Sequence, residues 1–153
     1  MFSAPGGRPG PVPVGLGTWV GQASTRSGAD RLGGTARDLA AWEIVELSCP
    51  GGGTLTVTAT PAQHGPEGCE PITGEVIGFV LTAPDLPTVY VSGDNPSLAL
   101  VEEIAERFGP VDTAVLFAGA ARTGLFDGAL LTLDSAQKLD PPTWPDCSAI
   151  EFT

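Results

Sequence analysis

One histidine, one methionine, one tyrosine and three cysteines leave this 153-residue chain with few side chains that carry chemistry. Positive charge is also scarce: seven Lys and Arg stand against eighteen Asp and Glu, a formal net charge of −11. Between Ala40 and Ala120, Arg107 is the one basic residue among eleven acidic ones. Neutralising phosphates needs clustered Lys and Arg, so this balance weighs against a nucleic-acid partner. An anionic membrane surface would repel the chain for the same reason. The acidity reads instead as a solvated surface. No apolar run approaches the about 20 residues of a membrane span, and the N-terminus lacks the basic start and apolar centre of a signal peptide. A cytoplasmic location is the resulting expectation. Cys49, Cys69 and Cys147 are odd in number and show no Cys-x-x-Cys spacing, so they read as free thiols of a reducing compartment, not as a zinc knuckle.

What is abundant is glycine and proline, and their distribution divides the chain in three. Residues 1–34 are dense in both, with no hydrophobic period, and are expected to be irregular or disordered. Residues 35–138 read as a globular core, and residues 139–153 as an irregular tail interrupted by Pro141, Pro142 and Pro145. In the core, Trp42–Leu47 reads as a strand, followed by a turn at Pro50-Gly51-Gly52-Gly53. Leu55 and Val57 alternate with Thr54, Thr56 and Thr58, the period of a half-buried strand. Val76–Leu81 is apolar almost throughout, as expected of a strand covered on both faces. Thr88–Val91, Thr113–Phe117 and Leu130–Leu133 are further strand candidates. The best-specified element is a helix with Asn95 as its cap, Pro96 in its first turn and Gly109-Pro110 at its end. Leu98, Val101, Ile104, Ala105 and Phe108 form its apolar stripe, which leaves Glu102, Glu103 and Glu106 in water. A short helix is expected at Ala136-Gln137-Lys138.

The histidine stands where the alternating run ends, in Thr60-Pro61-Ala62-Gln63-His64-Gly65-Pro66. A second apolar run ends in Val91-Ser92-Gly93-Asp94-Asn95. An imidazole and a carboxylate, each just past a strand, suggest a metal site at the edge of a sheet. Neutral imidazole suits zinc, manganese or iron, and a carboxylate can bridge two such ions. Paired ions about 3.5–4 Å apart lower the pKa of a shared water and stabilise charge on the attacked group. Taken singly, His64 is accounted for by a surface position beside a Gly-Pro turn, and Asp94 by a turn and helix start. Their order and flanking strands carry more than either alone. Gly51-Gly52-Gly53 and Leu32-Gly33-Gly34 are not phosphate loops, since no lysine follows. Ser92 has no second histidine to serve as its base.

In combination, the segments Thr58–Pro66, Gly78–Leu81, Val89–Asp94, Ile104–Asp112 and Ala114–Gly119 resemble the C-terminal half of the metallo-β-lactamase-fold hydrolases. They look most like the branch of ascorbate-6-phosphate lactonases and N-acyl-phosphatidylethanolamine phospholipase D-like enzymes. The resemblance covers roughly Ala29 to Gln137. It implies an α/β (α+β) fold: part of an αββα sandwich, one sheet with a flanking helix and irregular ends. It also implies zinc, or manganese or iron, hydrolysis of a small-molecule ester, lactone, amide or phosphodiester, His64 as a metal ligand and Asp94 as the metal-bridging aspartate. Arg122 and Asp127 would fall in a loop that shapes the substrate pocket.

The chain departs from the family pattern. The His-x-His-x-Asp-His loop that supplies most ligands is missing, as is the last ligand histidine, and Asn95 stands where threonine is common. With one histidine the dinuclear site is not completed by this chain, which is expected to be a truncated and inactive member of the family. The competing expectation is a metal-free interaction module that covers an apolar sheet face with a partner. A third is self-association, with two chains offering His64 and Asp94 to a shared ion.

Overall fold

A computed structural model of the chain describes residues 18–21, 35–134 and 148–152. Its main sheet has six strands in the order β3-β4-β5-β6-β7-β8. These are β3 (Ile44–Ser48), β4 (Thr54–Ala62), β5 (Val76–Thr82), β6 (Val89–Val91), β7 (Thr113–Phe117) and β8 (Ser148–Phe152). Strands β3 to β6 are antiparallel neighbours, whereas β6, β7 and β8 are parallel. A second, two-stranded parallel sheet pairs β1 (Thr18–Gly21) with β2 (Thr35–Asp38). The helices are the short α1 (Glu70–Thr73) and α2 (Leu98–Phe108), which connects the parallel strands β6 and β7.

Alternation along the strands divides the core between two faces of the sheet. Val80, Tyr90, Ala114 and Leu116 pack with Val101, Ile104 and Ala105 of α2. On the opposite face Val45, Val57 and Ala59 form a second cluster with Leu39, against which Ile77, Phe79 and Leu81 are partly buried. Strand β5 thus serves both clusters, as its nearly unbroken apolar sequence leads one to expect. The helix presents its expected stripe, with Glu102, Glu103 and Glu106 exposed. Gly109 closes it by donating its N–H to the Ala105 carbonyl. Pro61 sits in β4 beyond the last β3 partner in the ladder, Ile44↔Thr58, where a lost donor on that side is tolerated.

Several sequence expectations need correction. The cap of α2 is Ser97, whose hydroxyl accepts from Leu100 N–H, and not Asn95, which is fully buried. Trp42 and Glu43 precede β3 in a turn, with Trp42 in the left-handed region at φ 69°. Leu130–Leu133 is not a strand; isolated bridges Arg122↔Leu130 and Gly119↔Asp134 flank it. Its N–H groups are used singly, Leu131 donating to Ala121 and Leu133 to Phe117. β1 lies in the segment read as irregular, and β8 in the segment read as a tail. Both are only four or five residues long, too short for a period to stand out among prolines and glycines. The helix expected at 136–138 lies outside the described residues, as does Cys147. Cys49 and Cys69 are free thiols. None of the described helices is long and apolar enough to cross a membrane.

Ile104 is fully buried at the centre of the helix–sheet contact. Ile104→Ala should therefore cost about 2–5 kcal/mol, the range for emptying a well-packed site. Urea denaturation followed by circular dichroism measures it.

Candidate metal centre

Because β4 and β6 are each antiparallel to β5, they run in the same direction and end at the same edge of the sheet. His64 follows β4 by two residues and Asp94 follows β6 by three. The structure brings the two together: His64 Nε2 lies 3.9 Å from Asp94 Oδ2. Both side chains remain accessible, the imidazole about one quarter exposed (26%) and the carboxylate about half (45%).

Each ligand candidate is held by local bonds of its own loop. Gln63 Nε2 donates to the Gly65 carbonyl at 2.8 Å, spanning His64. The buried Cys69 thiol donates to the carbonyl of His64 at 3.4 Å and accepts from the Thr73 hydroxyl. On the other loop, the fully buried Ser92 hydroxyl accepts from Phe117 N–H at 3.0 Å and donates to the Gly93 carbonyl. Asn95 Oδ1 accepts from Ser97 N–H at 3.1 Å, while its Nδ2 donates to the Ser97 carbonyl. The buried Tyr90 phenol lies beside Asn95. Asp94 thus projects from a turn whose two neighbours on either side are tied inward.

These supporting residues carried little signal in the sequence. Ser92 drew attention only as a nucleophile without a base, Asn95 as a helix cap, and Cys69 as an unpaired thiol. The signal that was present is the polar run Ser-Gly-Asp-Asn after an apolar strand, where buried polar groups must find partners.

Beside Asp94 opens a pocket of about 620 Å³, lined among the described residues by Val91, Asp94, Val115, Phe117, Gly119, Ala121 and Thr132. Arg122 and Asp127 are not among those lining residues. The Arg122 guanidinium donates to the Gly128 carbonyl and is exposed, and Asp127 is exposed in the left-handed conformation that ends a 3-10 turn at Gly124–Phe126.

The donor pair suits one ion only in part. Atoms each about 2.0–2.2 Å from a zinc ion can lie at most about 4.4 Å apart, and about 3.4 Å at the tetrahedral angle. The observed 3.9 Å falls inside that limit. A defined zinc site needs four donors, and among the described residues no group of three or more His, Cys, Asp or Glu could hold a metal. Among the described residues, two candidate donors lie together and a complete site does not.

The sequence profile described as Beta-lactamase superfamily domain matches residues 11–137. Among solved structures, a possible metal-dependent hydrolase from Veillonella parvula superposes with a TM-score of 0.69 at 20% identity over 88% of this chain. An isothiocyanate hydrolase from Delia radicum gut bacteria gives 0.63 at 22% identity over 85% of this chain. A metallo hydrolase from the archaeon Ignicoccus hospitalis gives 0.54 at 21% over 78%. The chain spans about half of each, 51%, 51% and 45% of their lengths respectively. At these identities the likeness is one of fold. No curated protein matches the chain.

The Tyr90 phenol is pushed well above its ordinary value, chiefly by burial, with the neighbouring Asn95 side chain pulling partly the other way. A raised pKa in the folded state means that the neutral phenol stabilises the fold fully below the unfolded value of 10.0. That contribution is lost as pH rises further. The urea midpoint should therefore fall above pH 10, and the fall should be smaller in Tyr90→Phe, which has no phenol to ionise.

Proposed function

The chain belongs to the beta-lactamase superfamily domain family, and from that premise we propose that it forms part of a metal-dependent hydrolase in which His64 and Asp94 are metal ligands. The observation that carries this reading is the approach of His64 Nε2 to Asp94 Oδ2 at 3.9 Å, next to an open pocket. Zinc is the proposed ion, with manganese or iron as the other candidates, and Asp94 is the proposed bridge between two of them. The proposed substrates are small molecules with an ester, lactone or phosphodiester bond. The ascorbate-6-phosphate lactonase-like and N-acyl-phosphatidylethanolamine phospholipase D-like branch is proposed on the segments that resemble it.

What this chain's own residues contribute is positional. The two strand ends hold an imidazole and a carboxylate toward one point, and the apolar wall of Val91, Val115 and Phe117 borders that point on one side. Since one histidine and one aspartate do not complete a site, no catalytic step is assigned to the chain alone. Two donors typically leave a metal weakly bound, because affinity is built from ligand number and geometry. We propose that further donors come from groups beyond the described residues, and that the chain by itself is inactive or nearly so.

Calorimetric titration with zinc or manganese tests this. The chain alone should show weak, unsaturated binding that His64→Ala and Asp94→Ala each reduce at least about tenfold, since losing even a group that only orients a ligand typically costs about 10–100-fold. Unchanged metal content in His64→Ala removes the ligand assignment. A clean titration to two ions per chain, accompanied by esterase activity, removes the claim of inactivity.

A further inference from the structure

Strand β5 lies between the two strands that carry the ligand candidates, and its second and third residues are Ile77 and Gly78. Gly78 is the ladder partner of Thr60 in β4, four residues before His64. On its other side, the β5–β6 ladder runs as far as Phe79↔Val91, so the chain leaving β6 passes beside Gly78. A Cβ placed on Gly78 would meet the Val91 carbonyl oxygen at 2.6 Å, Thr60 Oγ1 at 2.7 Å and the Ser92 carbonyl oxygen at 2.8 Å. Two of these three are backbone atoms, which cannot rotate away. The space that a side chain at 78 would occupy is filled by the end of β6 from one side and by β4 from the other.

The contact is reciprocal. Gly93 adopts φ +62°, and a Cβ there would stand 2.6 Å from the Ile77 carbonyl oxygen. Thus the turn Val91-Ser92-Gly93 lies directly on the backbone of Ile77-Gly78, and Asp94 is the next residue. The Thr60 hydroxyl, fully buried and without a hydrogen-bond partner, closes the same contact from β4. A buried hydroxyl left unpaired carries a cost, and its retention here is consistent with a place where shape outweighs polarity.

We infer that Gly78 is a positioning residue for the His64–Asp94 pair: the absence of a side chain lets the ends of β4 and β6 close over β5, and that closure sets the spacing of the two ligand candidates. The inference rests on the metal-ligand reading above for its functional meaning, but the geometry it asserts is independent of metal. Gly78→Ala would force the β5 backbone and the Val91–Ser92 backbone, which leads directly into Asp94, to shift relative to one another. Contacts under 3.0 Å between a Cβ and backbone oxygen are essentially never seen, so the displacement is not optional.

The test uses the isotopically labelled full chain without metal. In the native protein a nuclear Overhauser cross-peak is expected between the His64 ring protons and the Asp94 β-protons. It should be lost in Gly78→Ala. Val80→Ala, which empties a buried core position two residues along the same strand, serves as the control for mere destabilisation. That variant should unfold at lower urea while keeping the cross-peak. If Gly78→Ala does not fold, Gly93→Asn is the second variant. Asparagine tolerates positive φ, yet its Cβ presses on the Ile77 carbonyl, and the cross-peak should again be lost. Retention of the cross-peak in a folded glycine variant overturns the positioning role, as does its loss in Val80→Ala. Manganese alone, added afterwards, separates the two readings. Broadening at both His64 and Asp94 in the native chain supports the ligand reading. Its absence with the cross-peak pattern intact ends that reading and still supports the role of Gly78.

Discussion

Two strands that point the same way with one antiparallel strand between them must end about 10 Å apart, twice the spacing of a hydrogen-bonded pair. That distance governs everything built on β4 and β6. An imidazole and a carboxylate extended from the two ends can span part of it, and loops must supply the rest. Here the loop after β6 bends back over the start of β5, and the loop after β4 is fastened by the Cys69 thiol and the Gln63 amide. The 3.9 Å separation of His64 and Asp94 is the sum of those arrangements, not of any direct bond between them. At that length it exceeds a hydrogen bond.

The polar residues around the turn at Asp94 are buried for the same reason. Ser92 and Asn95 are completely shielded, and each satisfies backbone groups that the bend would otherwise leave unpaired. Tyr90, two residues before Ser92, lies beside Asn95 and packs in one cluster with Val101, Ile104 and Ala105 of α2. The turn is therefore continuous with the helix–sheet core, which gives the carboxylate a rigid base while its own oxygens stay in water.

Much of this was legible in the sequence, and the reasons differ by element. The periods of β4 and α2 are long enough to announce themselves, and Gly109-Pro110 ends the helix where its chemistry says it should. His64 and Asp94 stood out because each is the first strongly coordinating group after an apolar run. The cap was misassigned because Asn95 and Ser97 are equally good capping residues; burial of Asn95 against Tyr90 decided between them, and burial is a tertiary property. Leu130–Leu133 has the composition of a strand, but its backbone bonds are claimed one at a time by Phe117 and Ala121. Gly78 was invisible, since a glycine in an apolar strand says that something comes close without saying what.

Trp42 lies at the opposite end of α2 from the Asp94 turn. A bulky residue at φ 69° is uncommon, and three contacts hold it there. Its N–H reaches the Ala59 carbonyl at 2.7 Å, its ring stacks on Phe108 at 6.5 Å between centroids, and Arg107 caps it at 4.1 Å. The last two residues of the helix are thereby riveted to the strand that leads to His64. Since the first residues of that helix continue from the Asp94 turn, helix and strand form a closed brace with the ligand pair at one corner. The helix that starts after the Asp94 turn and the strand that leads to His64 are therefore joined at a second point, the aromatic contact at Trp42.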